Sequence, residues 1–190
     1  LLPFGSQVEV EDSGFGPHLS ALRFLPPLQP EDEESVPSLV QLSRSSFFVD
    51  RRSAVIGAAG PCRVRAGYCV FAAPAPPLRP EYNGAVLTVP AVAGISYEGT
   101  ARNAYYAVQP LAVGTEGAQR LWSFDECRAQ GWPVRDPQAE RLSRPPWSEN
   151  RPLQRLESAE PWPAFRLRIE QEAALFVRDR VKVIGAQFRD

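Results

Sequence analysis

The sequence predicts a mainly β protein: a single β-sandwich or barrel, a jelly roll among them, with long proline-rich extended arms and one short helix. Three observations lead there. Apolar runs of about four to eight residues, rich in Val, Ile and aromatics, recur between Gly and Pro turn formers. Twenty prolines interrupt the longer apolar stretches. Only one stretch carries both start and stop signals of a helix. A length of 190 residues suits one domain with appendages and is short for two, so residues 1–190 are read as one β-rich domain. Hydrophobic content of 44% gives enough burial to offset a backbone entropy cost of about 1–2 kcal/mol per residue.

Taken in chain order, "SQVEVEDSGFG" alternates Val8 and Val10 with polar neighbours and then meets a glycine-rich turn, which reads as a short strand. The apolar start of "HLSALRFL" is cut at Pro26 and Pro27. Residues 26–37, with the acidic run from Glu31 to Glu34 set between prolines, read as an extended solvated excursion, the first arm. From Ser38 to Pro74 the chain is rich in strand formers, broken at Gly57, Gly60, Pro61 and Gly67. "APAPPLRP" reads as a stiff polyproline-like connector. After the turn signal Asn83-Gly84, Leu87 and Val89 alternate around Thr88 and run into Pro90, which predicts an edge strand or a bulge. "NAYYAVQPLAVG" repeats that pattern with Pro110 inside it.

Ser123 and Glu126 form a capping box, and Gly131 and Pro133 supply the stop, so residues 124–130 are predicted as a helix. Residues 132–163 then place Trp132, Trp147 and Trp162 among Pro133, Pro145, Pro146, Pro152, Pro161 and Pro163, the second arm. Beyond it Phe165, Leu167 and Ile169 alternate as a strand. Residues 169–188 fit a helical stripe at Ala173, Phe176 and Val177 or a strand at Val181 and Val183; the β-branched end favours strand. No internal repeat aligns at solenoid or propeller periods.

Composition narrows the chemistry. A net charge of -1 supplies no basic field for a polyphosphate, which argues against nucleic acid as principal partner. Lys182 is the sole lysine beside many arginines, as a GC-rich genome would give. Methionine is absent, and Leu1 reads as a processed or truncated end or a numbering convention. Cys62, Cys69 and Cys127 have no metal-ligand spacing. They read as buried thiols, with a Cys62–Cys69 bridge around Gly67 as the alternative. No apolar run is long enough to span a membrane, the start does not resemble a signal peptide, and no Asn-x-Ser/Thr sequon occurs.

Catalysis would need a nucleophile, a base and an orienting group, or a metal shell. His18 is the sole histidine and reads as a turn residue. Asp50, Glu81, Glu98, Asp125 and Glu126 could supply a carboxylate pair for hydrolysis, with Trp122, Tyr105 or Tyr106 as sugar platforms. A chain with many acids and arginines gives such a list without any active site, so these carboxylates are read as solvated or paired. "GAAGPCRVRAG" fits neither phosphate-loop pattern and reads as a turn between strands. No metal or organic cofactor is expected.

Large aromatics beside Gly or Pro remain: Phe15, Trp132, Trp147 and Trp162. Each could cover the chain's own core or anchor on a neighbouring subunit, where one Trp offers about 4–6 kcal/mol of gross apolar burial. The expectation is a non-enzymatic assembly protein of a multi-subunit particle, a virus or phage capsid or decoration protein, in a virion or extracellular setting. Its partners would be copies of itself or other subunits, with those four aromatics at the interface. The alternatives are a β-rich carbohydrate-binding module and a carboxylate-dependent hydrolase.

Overall fold

A computed structural model describes residues 1–18, 20–26, 36–49, 53–73, 84–115 and 118–142. The protein is mainly β, and its strands follow one another in a strict rotation. The first coil comprises β1 (Gln7–Glu11), β2 (Gly14–His18) and β3 (Leu22–Phe24). The second repeats the circuit with β4 (Ser38–Ser43), β5 (Ser46–Val49) and β6 (Ala54–Ala58). The third adds β7 (Cys62–Gly67), β8 (Val70–Ala72) and β9 (Gly84–Val89), and the fourth β10 (Ile95–Gly99), β11 (Ala104–Tyr106) and β12 (Val108–Val113).

Each coil thus gives one strand to each of three five-stranded sheets, ordered β1-β4-β7-β10-β14, β15-β11-β8-β5-β2 and β13-β12-β9-β6-β3. Strands β13 (Arg120–Trp122), β14 (Val134–Arg135) and β15 (Glu140–Arg141) finish the sheets, with helix α1 (Phe124–Ala129) between β13 and β14. Among the described residues all strand pairings are parallel except β12 with β13. This is a three-faced β-solenoid.

The expected sandwich or barrel is therefore replaced by three mostly parallel sheets that form no closed barrel. Strand content is readable from composition, but strand direction is not. Tight hairpin turns make antiparallel neighbours, whereas here each tight corner passes the chain to a different sheet. The absence of an alignable repeat is also explained. Val8, Val40, Val64, Tyr97 and Val134 are register partners on the inward side of the first sheet, yet their spacing along the chain is unequal. Long connections between β3 and β4 and between β8 and β9 hide a repeat that exists in space.

Interior packing runs along the solenoid axis. Phe15, Phe47, Phe71 and Tyr105 stack at centroid separations of 5.0, 5.5 and 5.3 Å, one ring from each coil. Leu22, Ile56, Leu87 and Leu111 form a matching aliphatic row on the third sheet. Parallel strands are usually buried on both faces. The central strands of the second sheet follow that rule, for β5, β8 and β11 are buried at every position, and those of the third are buried except at Gly57, Thr88, Gln109 and Val113, which are partly buried. Phe48, Ala72 and Tyr106 form a second cluster on the opposite side of the second sheet from the stack, with Leu142 against it.

The corner between the first two sheets is tight and repetitive. Asp12, Arg44 and Tyr68 occupy it in successive coils, each left-handed, with φ of 48°, 44° and 57°. That conformation costs a non-glycine residue about 1–2 kcal/mol, and stacked partners offset it. The Ser13 N–H donates to Ser45 Oγ at 3.1 Å, and Arg44 Nε donates to Asp12 Oδ1 at 2.8 Å.

Several local expectations change. The predicted glycine-rich turn after β1 is itself strand β2, since the turn is made by Asp12 and Ser13. Strand β9 is central rather than an edge, because Pro90 lies just beyond it and removes no ladder donor. Pro110 is tolerated inside β12 because β13 pairs only from Leu111 onward. Helix α1 matches its prediction. The Ser123 N–H donates to Glu126 Oε2 at 2.8 Å, and the Glu126 N–H to Ser123 Oγ at 3.2 Å. At its end Gly131, at φ 70°, lets its own N–H reach Arg128 O and that of Trp132 reach Cys127 O. Of the second arm, residues 132–142 belong to the solenoid through β14 and β15. Residues 143–163, most of 26–37, the connector at 74–80 and the segment 165–188 lie outside the described residues.

Candidate functional site

Among the central strands of the described residues, those of the first sheet present a regularly exposed outer side. Strict alternation along β1, β4 and β7 sends Val10, Val40, Leu42, Val64 and Ala66 inward and leaves Gln7, Glu9, Leu39, Gln41, Arg63 and Arg65 outside. Register aligns these in rows: Gln7, Leu39, Arg63 and Ser96 in one, and Glu9, Gln41, Arg65, Glu98 and Arg135 in the next. Glu98 sits between two arginines, accepting from Arg135 at 3.0 Å and from Arg65 at 3.2 Å. Arg135 foremost holds its carboxyl below the usual range. At the corner Arg44 pairs with Glu11 and with Asp12. Glu9 and Arg63 have no ion-pair partner among the described residues.

A second feature is buried, in the last coil. Tyr97, register partner of Val64, and Tyr105, register partner of Phe71, bring hydroxyls to 2.5 Å from one another. Tyr105 donates to Asp136 Oδ2 at 2.6 Å, so its own oxygen accepts from Tyr97. Asn103 donates to the same carboxylate oxygen at 2.8 Å and to Ala66 O at 3.0 Å, and accepts from the Cys69 N–H at 2.9 Å. The Gln138 N–H caps Asp136 Oδ1 at 3.1 Å. Gly99 makes room, since a Cβ there would run into the Asp136 carboxylate. Burial holds both tyrosines well above their ordinary pKa. All polar groups of this chain of hydrogen bonds are answered within the protein. It clamps the final coil to its predecessor, and Phe124 of α1 closes over it, 5.4 Å from the Tyr105 ring.

The residues singled out from the sequence fall in different places. Phe15 ends the aromatic stack and is partly buried on the core. Trp132 packs against the core and meets Trp122 edge-on at 4.6 Å. Trp147, Trp162, Asp50 and Glu81 lie outside the described residues, as does the side chain of His18. Of the carboxylates, Asp125 pairs with Arg128 on α1, Glu126 caps that helix, and Glu98 is held by its two arginines. The structure does not bring these three together. Tyr105 and Tyr106 are buried, and Arg120 lies 3.8 Å over the Trp122 ring, covering a face a sugar would need. All three cysteines are free and buried. Burial pushes Cys62 and Cys69 up to about 12 and Cys127 to about 11, so they are inert thiols at neutral pH. Among the described residues no group of His, Cys, Asp and Glu could hold a metal ion, and no helix is long and apolar enough to cross a membrane.

Sequence reasoning missed both the open face and Asp136. The face depends on strand order, which no local pattern reveals. Asp136 stands in "VRDPQ", an ordinary turn signal, and only the register of β10 and β11 shows what it meets. No protein-family model, no curated protein and no solved structure matches the chain.

Proposed function

We propose that the chain is a non-enzymatic assembly subunit, built into a multi-subunit particle such as a virus or phage shell or its decorating layer. The observation that carries this reading is the contrast between sheets. The central strands of the second sheet are buried at every position and those of the third at all but four partly buried ones, while the first exposes a regular array of side chains on its outer side. Rigid, pre-formed surfaces lose little entropy on docking. The buried thiols, the enclosed Asp136 and the paired carboxylates all serve packing, which favours a scaffold over a reactive centre. Sedimentation velocity of the full chain over a wide concentration range tests the reading. Concentration-dependent association of folded protein is expected; a monomer at every concentration and salt overturns it.

A further inference from the structure

The open face has a symmetry of its own. Strand β4 runs along it with β1 on one side and β7 on the other. On the β1 side stand Glu9, with no ion-pair partner among the described residues, and the carboxylates of Glu11 and Asp12 about the single guanidinium of Arg44. On the β7 side stand Arg63, with no ion-pair partner among the described residues, and two arginines, Arg65 and Arg135, about the single carboxylate of Glu98. Between them Leu39 is 38% exposed, the one exposed large apolar residue among the described residues that lies on a sheet face; the others, Leu1, Leu25 and Val36, fall outside the strands. A surface that is acidic on one side of a line, basic on the other and apolar on the line complements itself under a twofold rotation.

The geometry points to a second copy of this chain as the partner of the face, docked about a twofold axis along β4. This rests on the assembly reading above and specifies its contact. The rotation preserves position along the strands and exchanges β1 with β7. Leu39 then meets its own copy at the centre, Glu9 comes over Arg65 at the same register level, and Arg63 lies one outward position away. Opposite charges surround an apolar centre, the arrangement of many specific interfaces. Strands lie about 4.8 Å apart and rise about 3.3 Å per residue, so the face amounts to a few hundred Å² per partner, below the roughly 800 Å² of a standard interface. The dimer is accordingly weak and salt-sensitive, the contact of an assembly made from many small interfaces.

Charge exchange tests it, because Glu9 and Arg63 are exposed, have no ion-pair partner among the described residues, and can be replaced with the core intact. Sedimentation equilibrium of the full chain at low salt should show self-association that weakens severalfold at high salt. Glu9→Arg and Arg63→Glu should each weaken it by about tenfold or more through like-charge contacts. Because residue 9 still faces Arg65, the double variant E9R/R63E should recover only part of the lost affinity, and an equimolar mixture of the two single variants should associate more tightly than E9R alone. Circular dichroism melts confirm that each variant is folded. If the unaltered chain associates and both reversals leave it unchanged, this face is not the contact and the assembly reading stands without it. If every form is monomeric, the dimer and the assembly reading both fall, and the face belongs to a partner of different chemistry.

Discussion

The third and fourth coils present the same positions to the interior and fill them differently. Val64 and Phe71 in the third become Tyr97 and Tyr105 in the fourth, and Ala66 becomes Gly99, whose missing side chain admits Asp136. Apolar rows can repeat indefinitely, since each ring or aliphatic group is answered equally well by a copy above or below. A chain of hydroxyls ending on a carboxylate cannot, because its donors and acceptors are used in one direction and in one order. The stack thus ends where repeating apolar contacts, which supply cohesion, give way to a polar lock with an aromatic lid that fixes the last layer.

Separate substitutions in the apolar stack and in the polar lock test that contrast. Phe71→Ala removes the ring between Phe47 and Tyr105, and a loss of about 3–5 kcal/mol is expected by denaturant melts. Unaltered stability would mean that the aromatic stack contributes no cohesion. Asp136→Ala should cost less, about 2–3 kcal/mol, by stranding the Tyr105 hydroxyl and an Asn103 N–H. Hydrogen exchange should locate its effect in β10, β11, β14 and β15 while β1 and β4 keep their protection. Equal loosening of all coils would show that the lock is not local.

A smaller effect separates the coils by pH. Tyr97 and Tyr105 have ordinary values of 10.0 and are raised well above it by burial. The folded state thus keeps protons that the unfolded chain releases. Their contribution is intact below pH 10 and declines as pH rises beyond it, by about 1.4 kcal/mol per pH unit for each group. Tyr105→Phe should reduce the alkaline slope of stability above pH 10 by one such increment, measured by urea melts at a series of pH values. Phe71→Ala should leave that slope unchanged. The same slope in Tyr105→Phe as in the unaltered chain would show that the hydroxyl is not shielded.

Local physics was legible in the sequence and long-range register was not. The capping box at Ser123, the alternation of Val8 and Val10 and the strand-rich run from Ser38 depend on neighbours a few residues away. Proline was over-read, because Pro90 and Pro110 matter only through which partner stands beside them, and that is set by residues far along the chain. The aromatics were legible as large apolar groups, but Phe15 required its register with Phe47 to become the end of a stack. Trp122, by type only a candidate sugar platform, is covered by Arg120, a contact that only the fold shows.

The three corners of the solenoid differ in what they would tolerate from an engineer. Asp12–Ser13, Arg44–Ser45 and Tyr68–Cys69 are two-residue corners bound to one another by main-chain and side-chain contacts, and any insertion there would break a seam running along the molecule. The chain between β8 and β9 and that between β3 and β4 are already longer than their counterparts in neighbouring coils, without displacing the strands they join. Because closing a longer loop costs only about 0.6 kcal/mol per doubling of its length, a foreign peptide grafted at either connection should be carried by an intact frame. Equivalent connections recur in successive coils, so several grafts could be displayed in line at the spacing of neighbouring strands.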